Sequence, residues 1–294
     1  MILKLFVVMC GMILGHWLID DFDSGLVKGK RVLVTGASTG IGEQLAYQYA
    51  EHGAHVVITA RRENRLKEVI EECKTRGNKD QKFGYIVGDM LDIDSTENLI
   101  KNAVDKLGGL DVVVLNHILL NTLGFWEGSS HNFSSLERIM TVNFHSYVHL
   151  ASHALPYVEK NNGSIVVVSS VAGKVGQMYV TGYSASKFAL GGFFGGLRQE
   201  LRMRNRDVSI TLCTLGLIGT ETAINALSNF GQDFILKAVG PASPRDTALA
   251  VMKGGALRVR EVFYPESVYY QLLFRDWCPE ILDYFIRWMT SMPE

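Results

Sequence analysis

The chain has 294 residues, of which 47% are apolar and 20% charged, with 29 basic side chains against 30 acidic ones. This length favours one α/β domain with a large buried core over two small domains. The net charge of −1 argues against binding to nucleic acid, because phosphate backbones are held by an excess of basic side chains. The four cysteines form no CxxC pair, which excludes a zinc ribbon and a disulfide-rich miniprotein.

An apolar run covers residues 5–19, with Lys4 before it and three aspartates within residues 20–23 after it. Its length falls between the roughly 7–15 residues of a signal-peptide core and the roughly 20 that cross a bilayer comfortably. The positive-inside rule keeps Lys4 in the cytoplasm and sends the remaining chain across the membrane. We expect an uncleaved single-pass anchor in residues 1–24. The alternatives are a cleaved signal peptide, which would give a secreted protein, and a buried or interfacial helix.

Two N-glycosylation sequons, at Asn132 and Asn162, fit a domain on the lumenal side of a membrane, although such sequons also arise by chance. An oxidising compartment would also permit disulfides. Cys213 lies in an apolar run and is predicted to be a core residue. The spacing of Cys73 and Cys278 leaves open whether they pair.

β-Branched runs alternate with amphipathic segments along most of the chain. The predicted strands are residues 31–35, 55–59, 83–87, 111–116, 164–169 and 208–215, with 261–264 as a further strand. The predicted helices are residues 41–53, 62–76, 95–108, 133–161 and 182–204. Continuous apolar strands are typical of a parallel sheet covered on both faces, so we predict a doubly wound, Rossmann-type α/β fold. Residues 28–265 form the predicted domain and residues 266–294 an apolar helical extension.

A glycine-rich turn, Gly-Ala-Ser-Thr-Gly-Ile-Gly, follows the first predicted strand. Gly36 allows the sharp exit from the strand, Gly40 lets the backbone approach a pyrophosphate, and Gly42 lets the next helix lie close to the sheet. The start of that helix offers unpaired N–H groups and the positive end of its dipole to an anion. The residues expected to contact a dinucleotide here are Gly36, Ser38, Thr39, Gly40, Ile41 and Gly42.

At the end of the second predicted strand, where NAD-dependent enzymes place an acid beside the ribose hydroxyls, the sequence has Arg61 and Arg62. A guanidinium binds a 2′-phosphate through paired hydrogen bonds, whereas an acid would repel it. We therefore expect NADP(H) rather than NAD(H), the alternative being two solvated arginines at a helix start. Further residues expected beside the cofactor follow other strands: Asp89, Met90, Asn116, His117, Ile118, Ile218, Thr220 and Thr222.

Ser170 follows the fifth predicted strand, and Tyr183 and Lys187 share one face of the next predicted helix. A phenol with its ordinary pKa of about 10 is a poor base at neutral pH. A nearby ammonium together with an oxidised nicotinamide favours the phenolate. We expect Tyr183 to exchange a proton with a substrate oxygen, Ser170 to donate a hydrogen bond to that oxygen, and a hydride to pass between cofactor and substrate. Tyr183 and Lys187 are also expected to contact the cofactor.

Together these motifs resemble the short-chain dehydrogenase/reductase family, and the resemblance covers nearly the whole chain. Carried over position by position, it makes residues 35–42 the cofactor turn and Ser170, Tyr183 and Lys187 the catalytic set. It adds Asn143, in a Val-Asn-Phe sequence, as a fourth member that steadies a water in the proton relay.

The family's usual Asn-Asn-Ala-Gly is here Asn-His-Ile-Leu at residues 116–119. This variant, with residues 162–174, 183–190 and 209–218, resembles the 11β-hydroxysteroid dehydrogenase type 1 and type-1-like branch. That resemblance implies an N-terminal anchor, a domain in the lumen of the endoplasmic reticulum, NADP(H), a homodimer, and interconversion of a hydroxysteroid and an oxosteroid. The alternative functions are reduction of another lipid-like carbonyl such as a retinoid, and a catalytically silent NADP-binding protein.

Apolar side chains dominate the segments expected to rim the nicotinamide, which suits a rigid, lipid-like ketone or alcohol. The alternative is that several of them only pack a lid onto the core. The expected substrate contacts are Ser170, Leu215, Leu217, Tyr179 and Leu123.

Three further patterns concern partners. The three histidines within residues 145–153 share a helix face but have no acidic or cysteine partner, so we expect no metal. The four glycines within residues 191–196 weaken a helix, and close packing against a second subunit would offset that cost. The apolar stripe within residues 281–289 fits a bilayer surface, a partner subunit or the chain's own core.

Overall fold

Seven parallel strands form one sheet in the order β3-β2-β1-β4-β5-β6-β7. The computed structural model describes residues 22–120 and 123–290, so the predicted anchor run at residues 5–19 lies outside the described residues. The strands are β1 (Arg31–Thr35), β2 (His55–Ala60), β3 (Phe83–Val87), β4 (Val112–Leu115), β5 (Ser164–Ser170), β6 (Ser209–Leu215) and β7 (Glu261–Tyr264). The order reverses between β1 and β4, and open α/β sheets bind ligands outside the carboxyl ends of the strands at such a reversal.

Helices lie on both faces of this sheet. They are α1 (Gly40–Glu51), α2 (Glu63–Arg76), α3 (Thr96–Leu107), α4 (Ser130–Met140), α5 (Ser146–Lys160), α6 (Thr181–Met203), α7 (Glu221–Asn229), α8 (Asp233–Val239), α9 (Pro244–Ala256), α10 (Ser267–Trp277) and α11 (Pro279–Thr290). Short 3₁₀ turns occur at Ser24–Leu26, Ile93–Ser95 and Val171–Gly173. The predicted doubly wound Rossmann-type fold is confirmed.

The hydrophobic core has two halves, one on each face of the sheet. Val32 and Val34 of β1 pack into the half that contains α1, α2 and α9, whereas Leu33 packs into the half that contains α3, α5 and α6. Successive side chains of a strand point to opposite faces. All three side chains are fully buried, which explains why the strands read as continuous apolar runs.

The fourth strand is one residue shorter at each end than the predicted 111–116, and side-chain contacts flank it. The backbone N–H of Asn116 donates to Thr35 Oγ1 at 2.9 Å, and its Nδ2 donates to the Thr35 carbonyl at 3.1 Å. At the other end, Asp111 forms an ion pair with Arg31 at 2.7 Å. The other predicted strands match the observed ones to within one residue at either end.

The long helix predicted at residues 133–161 is observed as a continuous helical stretch from Ser130 to Lys160, but it contains a π-helical turn that was not predicted. Helix α4 begins at Ser130, where a capping box joins Ser129 and Asn132. A π-helical turn, Thr141–His145, then separates α4 from α5. Asn143 lies in this turn and binds the backbone of Leu119 at 2.7 and 2.9 Å, and π-bulges of this kind recur at functional sites.

The open question of a Cys73–Cys278 disulfide is answered, because both thiols are free. Cys73 and Cys213 are buried in the core, whereas Cys278 lies between α10 and α11. Within residues 22–120 and 123–290, no helix has the length and apolar character that crossing a membrane requires.

We predict that the Arg31–Asp111 pair stabilises the fold in a pH-dependent way. Burial of Asp111 raises the pKa of its carboxyl, but the hydrogen bonds from Arg31, at 2.7 to 2.8 Å, hold the pKa below its ordinary value. A group with a lowered folded-state pKa adds stability above its unfolded pKa and loses it as the pH falls. Asp111→Asn should therefore lower the free energy of unfolding by about 2 kcal/mol at pH 7.

Denaturant titrations at pH 7 and at acidic pH measure this difference, which should shrink below pH of about 4. Glu97→Gln, which removes the exposed Glu97–Lys101 pair, is the control and should change stability little. A destabilisation by Asp111→Asn that persists unchanged in acid would contradict the electrostatic account.

Candidate active site

A cleft opens at the carboxyl ends of β1, β4, β5 and β6, with a cavity volume of about 690 Å³. It lies where the strand order reverses, as expected for a doubly wound sheet. The predicted residues that line it are Gly36, Ser38, Thr39, Gly40, Ile41, Arg61, Arg62, Asp89, Met90, Asn116, His117, Ile118, Ser170, Tyr183, Lys187, Leu215, Leu217, Ile218, Thr220 and Thr222. The structure thus brings most of the predicted cofactor and catalytic residues to one surface.

The glycine turn has no room for side chains. Gly36 has φ +66°, and a Cβ there would lie 2.6 Å from the His117 Cα. A Cβ on Gly42, which does not itself line the cleft, would lie 2.3 Å from the carbonyl oxygen of Gly36. Gly40 also has a positive φ, of 62°. These three positions therefore require glycine for the turn, for close backbone contact and for helix packing.

Helix α1 points its N-terminus at the cleft. Its capping residue is Thr39, whose side chain forms no capping hydrogen bond, and Thr39, Gly40 and Ile41 all line the cleft. First-turn N–H groups that no side chain caps can bind a phosphate, and the helix dipole favours the negative charge. The turn therefore fits the pyrophosphate of a dinucleotide.

Arginines surround the other side of this turn. Arg62 Nη2 donates to Ser38 Oγ at 3.1 Å, and Arg65 Nε donates to the Ser38 carbonyl at 3.4 Å. Arg61 is exposed and lines the cleft. Arg62 is also exposed and caps the start of α2, as the alternative of two solvated arginines at a helix start expects, but it contacts the glycine turn as well.

Ser170, Tyr183 and Lys187 meet at the opposite end of the cleft. Ser170 is the last residue of β5, and its Oγ accepts a hydrogen bond from the Ala172 N–H at 3.2 Å. Tyr183 and Lys187 lie one turn apart in α6, and the Lys187 Nζ is 5.7 Å from the centre of the Tyr183 ring. Lys187 Nζ also donates to the Val168 carbonyl at 2.9 Å, which fixes the amine beneath the phenol.

Comparison with known proteins agrees with this arrangement. The family model described as short chain dehydrogenase matches residues 30–229. The chain belongs to the short-chain dehydrogenase family. It is therefore an oxidoreductase, and enzymes of this family act with a nicotinamide cofactor.

Curated relatives of this dehydrogenase carry one recurring name. A "Hydroxysteroid 11-beta-dehydrogenase 1-like protein" of Xenopus tropicalis is 48% identical over 270 residues, covering 92% of this chain and 91% of the relative. A protein of the same name from Gallus gallus is 51% identical over 246 residues, covering 84% of this chain and 82% of the relative. The resemblance to the type 1 and type-1-like branch is confirmed.

Solved structures share the fold. A short-chain dehydrogenase/reductase of Burkholderia phymatum in complex with NAD superposes with a TM-score of 0.75 at 20% identity, covering 86% of this chain and 95% of the other. A putative short-chain alcohol dehydrogenase of Sinorhizobium meliloti gives a TM-score of 0.71 at 25% identity, covering 83% and 97%.

The side chains of the dehydrogenase do not by themselves make Tyr183 acidic. Burial raises the pKa of Tyr183 to about 12, and the hydrogen bond with Ser170 opposes this rise only in part. Burial also lowers the pKa of Lys187 to about 7. The expectation that a lysine ammonium favours the phenolate therefore needs the second positive charge, that of an oxidised nicotinamide.

Asn143 does not line the cleft, but it supports residues that lie next to the cleft. It is fully buried in the π-helical turn. Its Nδ2 donates to the Leu119 carbonyl at 2.9 Å and to Ser186 Oγ at 3.2 Å. Because both amide hydrogens already have protein acceptors, a contact with a relay water would have to use other atoms of Asn143.

His117 is an uncharged residue whose side chain connects two elements of the fold. Its Nδ1 lies 2.8 Å from Thr35 Oγ1, and its Nε2 lies 2.7 Å from Ser146 Oγ. Burial and the charge of Lys187 lower the pKa of His117 to about 3. The imidazole therefore joins β1 to α5 without a charge of its own.

Two of the predicted substrate residues lie outside the cleft wall. Leu123 lines a second, smaller cavity of about 170 Å³, together with Phe125 and Trp126. The Tyr179 ring lies between Phe125 and Phe230, with both ring-centre distances 5.0 Å. The aromatic stacking that fixes this loop was not visible in the sequence. Leu215 and Leu217 remain in the cleft wall.

Sequence reasoning missed three residues that support the site. Arg65 binds the glycine turn, Ser186 binds Asn143, and Tyr147 lies beside Lys187. Tyr147 follows Asn143 by four residues, so a shared helix face was the signal that could have revealed it.

Proposed function

We propose that this dehydrogenase interconverts a hydroxysteroid and an oxosteroid with NADP(H). The observation that carries the proposal is the meeting of Ser170, Tyr183 and Lys187 in the same cleft as the glycine turn. A catalytically silent protein would not need these three side chains together. The names of the curated relatives support a steroid as substrate.

The proposed chemistry divides the work among three side chains. Tyr183 exchanges a proton with the reacting oxygen, as a phenol in reduction and as a phenolate in oxidation. Ser170 donates a hydrogen bond to that oxygen as negative charge develops on it. Lys187 favours the phenolate by its charge. When bound, the nicotinamide supplies or accepts the hydride.

Charge and apolar surface support the choice of cofactor and substrate. Arg62 binds Ser38 at the glycine turn, and Arg61 lines the same cleft, where guanidinium groups suit the 2′-phosphate of NADP(H). The opposite wall has Ile118, Leu215 and Leu217, apolar side chains that suit a rigid lipid-like molecule.

We also propose a homodimer. Gly191, Gly192, Gly195 and Gly196 lie on α6, and a Cβ built on any of them meets no atom of the described chain within 4 Å apart from its own stretch of helix. These glycines therefore do not serve close packing within the described chain, and a second subunit would explain them. Phe188 on the same helix is 46% exposed.

We further propose membrane attachment with the catalytic domain in the lumen of the endoplasmic reticulum. The apolar run at residues 5–19 would supply the anchor. Helix α11 adds an exposed apolar surface, which suits the bilayer interface. Its exposed large side chains are Ile281, Tyr284, Phe285 and Trp288.

Tyr183→Phe should abolish the reaction while leaving cofactor binding nearly intact. Loss of the proton donor should lower kcat by at least about 100-fold. The assay follows reduced-nicotinamide absorbance with a panel of oxosteroids, hydroxysteroids and retinal. Tyr49→Phe, at a buried tyrosine of the core, is the control. Full activity in Tyr183→Phe would exclude the mechanism, and turnover of retinal alone would exclude the steroid.

Arg61→Asp should weaken NADPH binding and improve use of NADH. Loss of a charge-assisted contact should raise the KM for NADPH by about 10-fold or more. Arg204→Asp, at an exposed arginine next to the far end of α6, is the control. Equal use of both cofactors before and after the change would show that Arg61 does not read the phosphate.

The two sequons report which side of the membrane the domain occupies. Asn162 is exposed in the turn before β5. Asn132 Oδ1 accepts hydrogen bonds from Glu127 N and Ser129 N, whereas a glycan attaches through Nδ2. In cells, Asn132→Gln and Asn162→Gln should each remove one endoglycosidase-sensitive glycan, measured by gel mobility. A wild-type chain that carries no glycan would contradict the lumenal assignment.

A further inference from the structure

Lys187 carries its amine in a buried site with little to stabilise a charge. The side chain is 1% exposed, and its Nζ donates to the Val168 carbonyl at 2.9 Å. Within residues 22–120 and 123–290, no carboxylate forms an ion pair with it. Burial alone lowers the pKa of Lys187 to about 7. Some other group must therefore favour the charged form that the proposed chemistry uses.

The ring of Tyr147 is in position to stabilise the charged form of Lys187. It projects from α5, is fully buried, and has its centre 5.3 Å from the Lys187 Nζ. This is closer than the 5.7 Å to the ring of Tyr183. A cation within about 6 Å of an aromatic ring is attracted by its electron-rich face, and most strongly where water is absent.

The Tyr147 ring is held in place by His117. Its hydroxyl donates to the His117 carbonyl at 2.7 Å, and the two rings lie 4.4 Å apart. The His117 side chain is itself held between Thr35 of β1 and Ser146 of α5. The distance from the Tyr147 ring to Lys187 is therefore set by the core of the protein and not by a mobile loop.

The other titratable groups around Lys187 are neutral at neutral pH. Burial, and after it Tyr183, raises the pKa of Tyr147 well above 10. His117, from the segment after β4, has its pKa lowered to about 3, first by burial. Tyr183, from the same helix as Lys187, has its pKa raised to about 12 by burial. Lys187 is thus the group of this cluster that changes charge near neutrality.

We propose that Tyr147 is a positioning residue for the proton transfer, whose ring face stabilises the ammonium of Lys187 and, through it, the phenolate of Tyr183. The catalytic consequence rests on the proposed function, but the pairing of Tyr147 with Lys187 does not. Loss of the ring should make Lys187 lose its proton at lower pH. The phenolate of Tyr183 is then less favoured. The acidic limb of the pH–rate profile for alcohol oxidation should therefore move to higher pH.

The direct test titrates Lys187 by NMR in the full chain labelled with [13Cε]lysine, with the signal identified by its loss in Lys187→Met. Tyr147→Leu should move the Lys187 midpoint down by about one pH unit. Tyr147→Phe, which keeps the ring and loses the hydroxyl, should leave the midpoint nearly unchanged while lowering thermal stability. Tyr49→Leu, a matched loss of a buried tyrosine from the other half of the core, should lower stability without moving the midpoint.

An unmoved midpoint in Tyr147→Leu would overturn the proposal, as would an equal shift in Tyr147→Phe. If Tyr147→Leu does not fold, phenylalanine and pentafluorophenylalanine at position 147 are compared, since fluorination keeps the shape and removes the electron-rich face. Equal titration midpoints of Lys187 in the phenylalanine and pentafluorophenylalanine variants would also refute the proposal.

The activity readout separates this proposal from the proposed function. Tyr147→Leu should lower kcat with little change in KM and move the acidic limb upward, and Tyr147→Phe should restore the wild-type limb. A purely structural role would leave the limb in place and would overturn the proposal. A wild-type chain that turns over no steroid would refute the proposed function, while the NMR titration would still decide whether Tyr147 stabilises Lys187.

Discussion

The proposed chemistry depends on a lysine amine that is buried from water and yet acts through its positive charge. Lys187 Nζ donates to the carbonyl of Val168, which itself lines the cleft, and lies 5.7 Å from the centre of the Tyr183 ring. Burial works against both charged forms, since it lowers the pKa of the lysine to about 7 and raises that of the tyrosine to about 12. Burial by itself therefore does not favour the pair of charges that the proposed reaction uses. In the proposed reaction, the positive charge of an oxidised nicotinamide would favour the phenolate of Tyr183, whereas the ring of Tyr147 would favour the ammonium of Lys187.

The parallel sheet explains why the parts of the site meet. Parallel strands carry their following segments to one edge of the sheet, so residues far apart in sequence collect where the strand order reverses between β1 and β4. Gly36 and His117 come so close there that a Cβ on the glycine would lie 2.6 Å from the histidine Cα. His117 in turn contacts Thr35 and Ser146. The glycine turn and the support behind Lys187 thus share one set of buried contacts.

The sequence was sufficient to predict the strands, which repeat along the chain, and the site residues that follow the ends of those strands. Buried parallel strands are recognisable in the sequence as continuous apolar runs. The spacing of Gly36, Gly40 and Gly42 predicts the glycine turn, because the backbone shape of that turn depends on neighbouring residues. The π-helical turn at Asn143 was not predictable in this way, because it depends on contacts with Leu119, a residue 24 positions away. Tyr179 was misplaced for the same reason, since its stacking with Phe125 and Phe230 is tertiary. The pKa values were not predictable either, because desolvation depends on what surrounds a side chain.

In the Asn-His-Ile-Leu segment, histidine replaces the second asparagine of the family's usual sequence. This replacement has a structural consequence beyond cofactor binding. A short asparagine at position 117 could not bridge Thr35 and Ser146 on opposite sides as the imidazole does. The carbonyl of His117 is also the acceptor for the Tyr147 hydroxyl. With its pKa at about 3, the ring adds no second positive charge beside Lys187. The uncharged imidazole therefore packs against the Tyr147 ring, with 4.4 Å between the ring centres, without repelling the ammonium of Lys187.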